Sequence, residues 1–159
     1  MLYLDCESAG LRGDIFAAAL INDSEVLFDG FYRHPDLKTN SWLHENVEPN
    51  LTGVEYKAYG DFQSVFAEVW NAQQEKACVC HMGAPVDANF FQQLFRAGLI
   101  KEFDGPYPML DTAPVLAKLG YDPTSELGYC KRKGLVLPEG KPHSALFDAQ
   151  VTRLVWNQL

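Results

Sequence analysis

The chain has 159 residues, 47% hydrophobic and 21% charged, with a formal net charge of −8. That composition is ordinary for a globular protein and fits one domain, residues 1–159, with its own core. The acidic balance argues against broad duplex binding, which depends on neutralising many phosphates. No apolar run approaches the ~18 residues of a membrane span, so no membrane partner is expected.

The first residues lack a basic stretch followed by an apolar one, so no signal peptide is expected. Cys6, Cys78, Cys80 and Cys130 form no CxxC pair and read as reduced thiols of a cytoplasmic protein. Cys78, Cys80 and His81 are poorly spaced for zinc, and no second pair accompanies them.

In chain order, residues 2–6 (LYLDC), 14–21 (DIFAAALI) and 25–33 (EVLFDGFYR) read as strands. The turn NDSE at 22–25 joins the last two as a hairpin. Residues 34–60 read as mostly irregular, with a short helix around Trp42–Val47. Phe62, Val65, Phe66, Val69 and Trp70 mark one helix face, with Asp61 as its cap. Residues 76–81 (KACVCH) read as a buried strand, and 85–98 as a helix opened by Pro85 and closed by Gly98. A short strand is expected in 106–112, then a helix over 113–120 stopped by Gly120. Residues 121–142 read as a Gly/Pro/basic loop and 144–159 as the closing helix. The expected fold is α/β: a five-stranded mixed sheet of three antiparallel strands and two parallel additions, flanked by helices. The first strand would be central.

That strand carries an oddity. Asp5 and Glu7 are two apart, so they stand on the same side of the strand. Two anions about 4 Å apart at an effective dielectric near 20 repel by roughly 4 kcal/mol. Something must offset this. Two later segments also hold acids of interest: CHMGAPVDANFF (80–91) with Asp87, and PHSALFDAQ (142–150) with His143 and Asp148. Taken singly, Asp87 reads first as an early-turn acid favoured by the helix dipole. Taken the same way, Asp148 reads first as a solvent-facing helix residue, and His143 as a satisfied surface or core histidine.

Together the three segments resemble the DEDDh exonucleases, a 3′→5′ group with a ribonuclease-H-like fold that includes proofreading enzymes and ribonuclease T. The Asp-x-Glu-(Thr/Ser) motif stands here as Asp5, Glu7, Ser8, with Ala9 and Gly10 next. HMGAPVD supplies His81 and Asp87 of the second motif. HSALFDA gives His143, Ala145, Asp148 and Ala149, a full match to the third. LDT at 110–112 resembles the segment before the penultimate helix. Met82 stands where Asn is common and Val86 where Phe is common. The stretch SWLHENVEPNL (41–51) replaces a loop of the polymerase-associated members.

The resemblance implies a two-metal phosphodiesterase. Asp5, Glu7, Asp87 and Asp148 would hold two Mg²⁺ or Mn²⁺ ions, whose charge offsets the crowded carboxylates. His143 would be the general base, on a flexible loop (134–142) that closes over substrate. Ser8, Ala9, Gly10 and Leu11 would bind the terminal nucleotide, Leu11 as a wedge under its base; Leu11 reads equally as a hydrophobe at the start of a strand. Lys131, Arg132 and Lys133 would attract the strand or simply solubilise a loop. The implied substrates are 3′ ends of single-stranded RNA or DNA, and a homodimer through Trp42 and Trp156 is an expectation. Two other readings stay open: a silent nucleic-acid-binding or interaction module of the same fold, and a small-nucleotide phosphodiesterase.

Overall fold

The computed structural model describes residues 1–159. Three strands come first: β1 (Leu2–Ser8), β2 (Ile15–Ile21) and β3 (Val26–Tyr32). They form the expected antiparallel meander, with Tyr3 opposite Ile21 and Ala19 opposite Asp29. The tight turn between β2 and β3 is held by Asn22, whose Oδ1 accepts from the Ser24 and Glu25 amides. Helices α1 (Asp36–Thr39) and α2 (Ser41–Asn46) follow, then a 3₁₀ turn at Glu48–Asn50. Asn40 caps α2 by accepting from the Trp42 and Leu43 amides.

A strand the sequence pattern does not announce comes next. β4 (Val54–Tyr56) pairs parallel to the outer edge of β3. The sheet therefore has six strands, not five, in the order β4-β3-β2-β1-β5-β6. At three residues β4 is too short to show a period. Its place depends on Gly30, where a Cβ would lie 2.7 Å from the Tyr56 ring.

The long helix α3 (Tyr59–Ala72) begins two residues before Asp61; Ala58 is the capping position and Asp61 lies in the first turn. β5 (Cys78–Cys80) is wholly buried and runs parallel to β1, and β6 (Met109–Asp111) runs parallel to β5. Between them α4 (Asp87–Arg96) starts on Asp87 itself, two residues later than Pro85 suggested. α5 (Thr112–Lys118) is capped by Asp111. The region expected to be a loop holds α6 (Glu126–Lys133), capped by Ser125 Oγ, which accepts from the Gly128 amide at 3.0 Å. α7 (Ala145–Trp156) closes the chain.

Strand alternation divides the core between two faces. Leu2, Leu4, Cys6, Ala18, Leu20 and Phe28 turn toward α3 and α4, where Phe62, Phe66, Trp70, Phe90 and Phe91 pack. On the opposite face Tyr3, Ala19, Ile21 and Val79 meet Ala145 and Ala149 of α7. Ala145 and Ala149 are one helical turn apart, so the fully buried part of the α7 stripe that meets the sheet is methyl groups, with Leu146 and Trp156 packing at its margin. Small residues on both sides let α7 lie close to β1 and β2. With helices on both faces, every residue of β2 is buried.

Trp70 anchors the first face. It is fully buried, packs edge-on to Phe91 with ring centroids 4.6 Å apart, and donates its indole N–H to the Asp104 carbonyl. Trp70→Ala should cost about 3–5 kcal/mol, read as a lower urea midpoint at unchanged slope. No helix is long and apolar enough to cross a membrane. Trp42 is half exposed, whereas Trp156 packs partly against the α7 face of the core and is not the free aromatic expected for a dimer contact.

Candidate active site

The site forms where β1, β5 and β6 end, the usual place for a crevice in a sheet of this kind. Asp5 and Glu7 point to the α7 face. Their cross-strand partners are Ala19 and Ala17, which leave room beside the carboxylates. Asp148 sits between Ala145 and Ala149, so the close seating of α7 delivers it to β1. Asp87 is the first residue of α4, buried to 2% exposure.

A single cavity of about 470 Å³ is lined by Asp5, Glu7, Asp87, His143 and Asp148 together. Oxygen or nitrogen atoms of Glu7, His143 and Asp148 lie within 4.8 Å of one another. Acids from the start, middle and end of the chain thus share one space. His143 precedes α7 with left-handed backbone (φ 64°), and its amide donates to Asp148 Oδ2 at 2.8 Å. Its ring meets Trp42 of α2 edge-on, centroids 5.1 Å apart. Asn50 Nδ2 donates to the Pro142 carbonyl, and Thr52 Oγ1 lies 3.2 Å from Ser144 Oγ. The segment SWLHENVEPNL, with Thr52 just after it, therefore braces the histidine.

The turn after β1 adds a second groove. Ser8 Oγ donates to the Gly10 carbonyl, and Gly10 has φ 99°. Glu7, Ser8, Gly10 and Leu11 line this groove with Trp42 and Leu43, and Leu11 also lines the main cavity. Ala9 instead packs partly against the Phe16 and Leu37 cluster. Leu11 is 70% exposed in the turn, so it does not serve the core as a strand hydrophobe. Lys131, Arg132 and Lys133 sit on the last turn of α6, with the Arg132 guanidinium 4.6 Å from the Tyr121 ring centre.

Burial raises every acid of the cavity, and neighbouring charges add to it at Asp5 and Glu7. Burial, then the charges of Asp148, Asp87 and Glu7, push Asp5 well above the carboxylate range. Burial, with Asp148 and Asp87, pushes Glu7 up to about 8. Burial pushes Asp87 up to about 8 against opposing hydrogen bonds from Cys6. Burial raises Asp148 to about 6 although the His143 amide opposes it.

The sequence reading missed two acids. Asp111 accepts from the Met82 amide at 3.0 Å, the Gly83 amide at 3.2 Å and its own helix at Ala113. It thereby clamps the turn that leads into Asp87. Glu126 is a fifth carboxylate of the cavity wall, 6% exposed. It accepts from Thr112 Oγ1 at 2.6 Å and from Thr152 Oγ1 at 2.9 Å. Burial raises it to about 7 against those bonds.

The carboxylate oxygens of the cavity fit hard divalent cations. Asp87 Oδ1 supports this, being buried with no hydrogen-bond partner, a cost that coordination would remove. No family model matches the chain, and a search of curated proteins returns no match.

Proposed function

We propose that this chain is a DEDDh-type 3′→5′ exonuclease of ribonuclease-H-like fold. It hydrolyses phosphodiester bonds of single-stranded or short RNA or DNA. One observation carries the reading: Asp5, Glu7, Asp87, Asp148 and His143, scattered in sequence, line the same cavity, with Asp148 and His143 against Glu7. Three antiparallel strands followed by parallel additions support the fold assignment.

Asp5, Glu7, Asp87 and Asp148 would hold two Mg²⁺ or Mn²⁺ ions, which when bound supply a nucleophile at neutral pH and neutralise charge on the phosphate. The protein's own part is orientation and proton transfer. His143 sits at the cavity rim, with its backbone tied to Asp148 and its ring against Trp42. There it takes the proton of the attacking water. Leu11 and the groove beside Ser8 and Gly10 receive the terminal nucleotide. Lys131, Arg132 and Lys133 draw the strand toward an otherwise acidic molecule.

The test incubates purified protein with 5′-labelled RNA and DNA oligomers. A ladder that shortens from the 3′ end with Mg²⁺ or Mn²⁺ and disappears with EDTA is expected. Binding without cleavage in Mn²⁺ would instead support a silent binding module of this fold. Turnover confined to dinucleotides would support a small-nucleotide phosphodiesterase.

His143→Ala should lower kcat by roughly 10²-fold while leaving Mn²⁺ binding close to wild type. Single-turnover rates paired with Mn²⁺ titration read both quantities. An unchanged rate removes the base assignment.

A further inference from the structure

The main cavity has a wall that the proposed chemistry does not use. Glu126 enters it from α6, and its two oxygens are engaged on opposite sides. Thr112 Oγ1, the first residue of α5, donates to Oε1, and Thr152 Oγ1 of α7 donates to Oε2. Thr112 has a single proton, and Glu126 takes it. With Glu126 ionised, the contact of Thr112 Oγ1 with His81 Nδ1 at 2.8 Å is donated by the imidazole. The result is a chain from half-buried His81 through buried Thr112 and Glu126 to Thr152.

Each end of that chain leads to a proposed metal ligand. Thr152 is one helical turn beyond Asp148, so both point from the same side of α7. Fixing Thr152 fixes the rotation and height of the helix that presents Asp148. Thr112 follows Asp111, whose carboxylate holds the Met82 and Gly83 amides in the turn before Asp87. His81 begins that same turn.

We propose that Glu126 is a positioning residue that sets the distance between Asp87 and Asp148, and through it the affinity of the cavity for divalent cations. The role rests on the metal-dependent reading above. Glu126 acts as a double acceptor between two hydroxyls; its negative charge is not what the site needs, because Asp148 and Asp111 repel it. Glutamine can hold both hydroxyls, accepting from one and donating to the other. Alanine can hold neither.

The experiment is a Mn²⁺ titration followed by electron paramagnetic resonance, which counts free ion without needing turnover. Wild type, E126Q, E126A, T152V and the E126A/T152V double variant are compared, with circular dichroism to establish folding. E126A and T152V should each weaken Mn²⁺ binding about tenfold. The double variant should be no weaker than E126A, because both changes cut the same link. E126Q should stay within about threefold of wild type, as a retained link predicts. If E126A does not fold, T152V decides, since it exchanges one buried hydroxyl for a methyl of equal size. Folded variants with wild-type Mn²⁺ affinity overturn the positioning role alone. An E126Q protein as weak as E126A overturns it in favour of a charge effect. A wild-type chain that binds no Mn²⁺ overturns the nuclease reading as well.

Discussion

Asp148→Asn should reduce phosphodiester hydrolysis by about 10³-fold or more, which corresponds to roughly 4 kcal/mol of barrier. The substitution keeps the shape of the side chain, and the α7 seating through Ala145 and Ala149 does not depend on the charge. The His143 amide can still donate to the remaining carbonyl oxygen. What is lost is a hard anionic oxygen in a cavity where Glu7 and His143 lie within 4.8 Å of it. The 5′-labelled oligonucleotide assay reads the change directly. A variant that shortens the substrate at the wild-type rate would remove Asp148 from the metal site and the exonuclease proposal with it.

The second large effect concerns pH in the absence of metal. Asp5, Glu7, Asp87, Asp148 and Glu126 are all raised above their unfolded values. From about pH 4 upward the unfolded chain gives up these protons, while the folded chain keeps some of them. The folded state then binds more protons, so stability falls as pH rises toward about 8. Below the unfolded values the groups are neutral in both states and the penalty vanishes. A divalent cation favours the ionised carboxylates and reverses the trend. Thermal melts in EDTA should fall by roughly 5–10 °C between pH 5 and pH 8, a few kcal/mol for a chain of this size. Melts in Mn²⁺ should not fall, so the gap between the two curves widens with pH. A flat EDTA curve would show that the cavity acids ionise freely and carry no stored repulsion.

Much of the architecture was legible because it rests on period. The alternation in LYLDCES put Asp5 and Glu7 on one side, and the spacing of Phe62, Phe66 and Trp70 gave α3 its buried face. β4 escaped because its three residues lie largely exposed at the sheet edge and carry no apolar run, unlike the equally short but wholly buried β5. α6 escaped for a different reason. Its residues 131–133 are KRK and Gly128 sits inside it, so the string reads as a basic loop; yet Ser125 and Gly134 were a start and stop signal in plain view. Missing α6 meant missing Glu126. Its role depends on meeting Thr112 and Thr152, and no local pattern encodes a contact between three helices. The metal-type acids were found through ordered motifs, whereas Asp111, read only as part of LDT, shows its grip on the Met82–Gly83 turn in three dimensions alone.

That turn also bears on what the gene can tolerate. A Cβ at Gly83 would come within 2.5 Å of Asp87 Oδ2 and would strike the Cys80 sulfur. One added carbon would therefore force the Asp87 carboxylate or the Cys80 thiol to shift, although it adds and removes no charge. In a library of substitutions, position 83 would stand out: an inconspicuous residue whose lack of a side chain leaves room for an acid of the cavity.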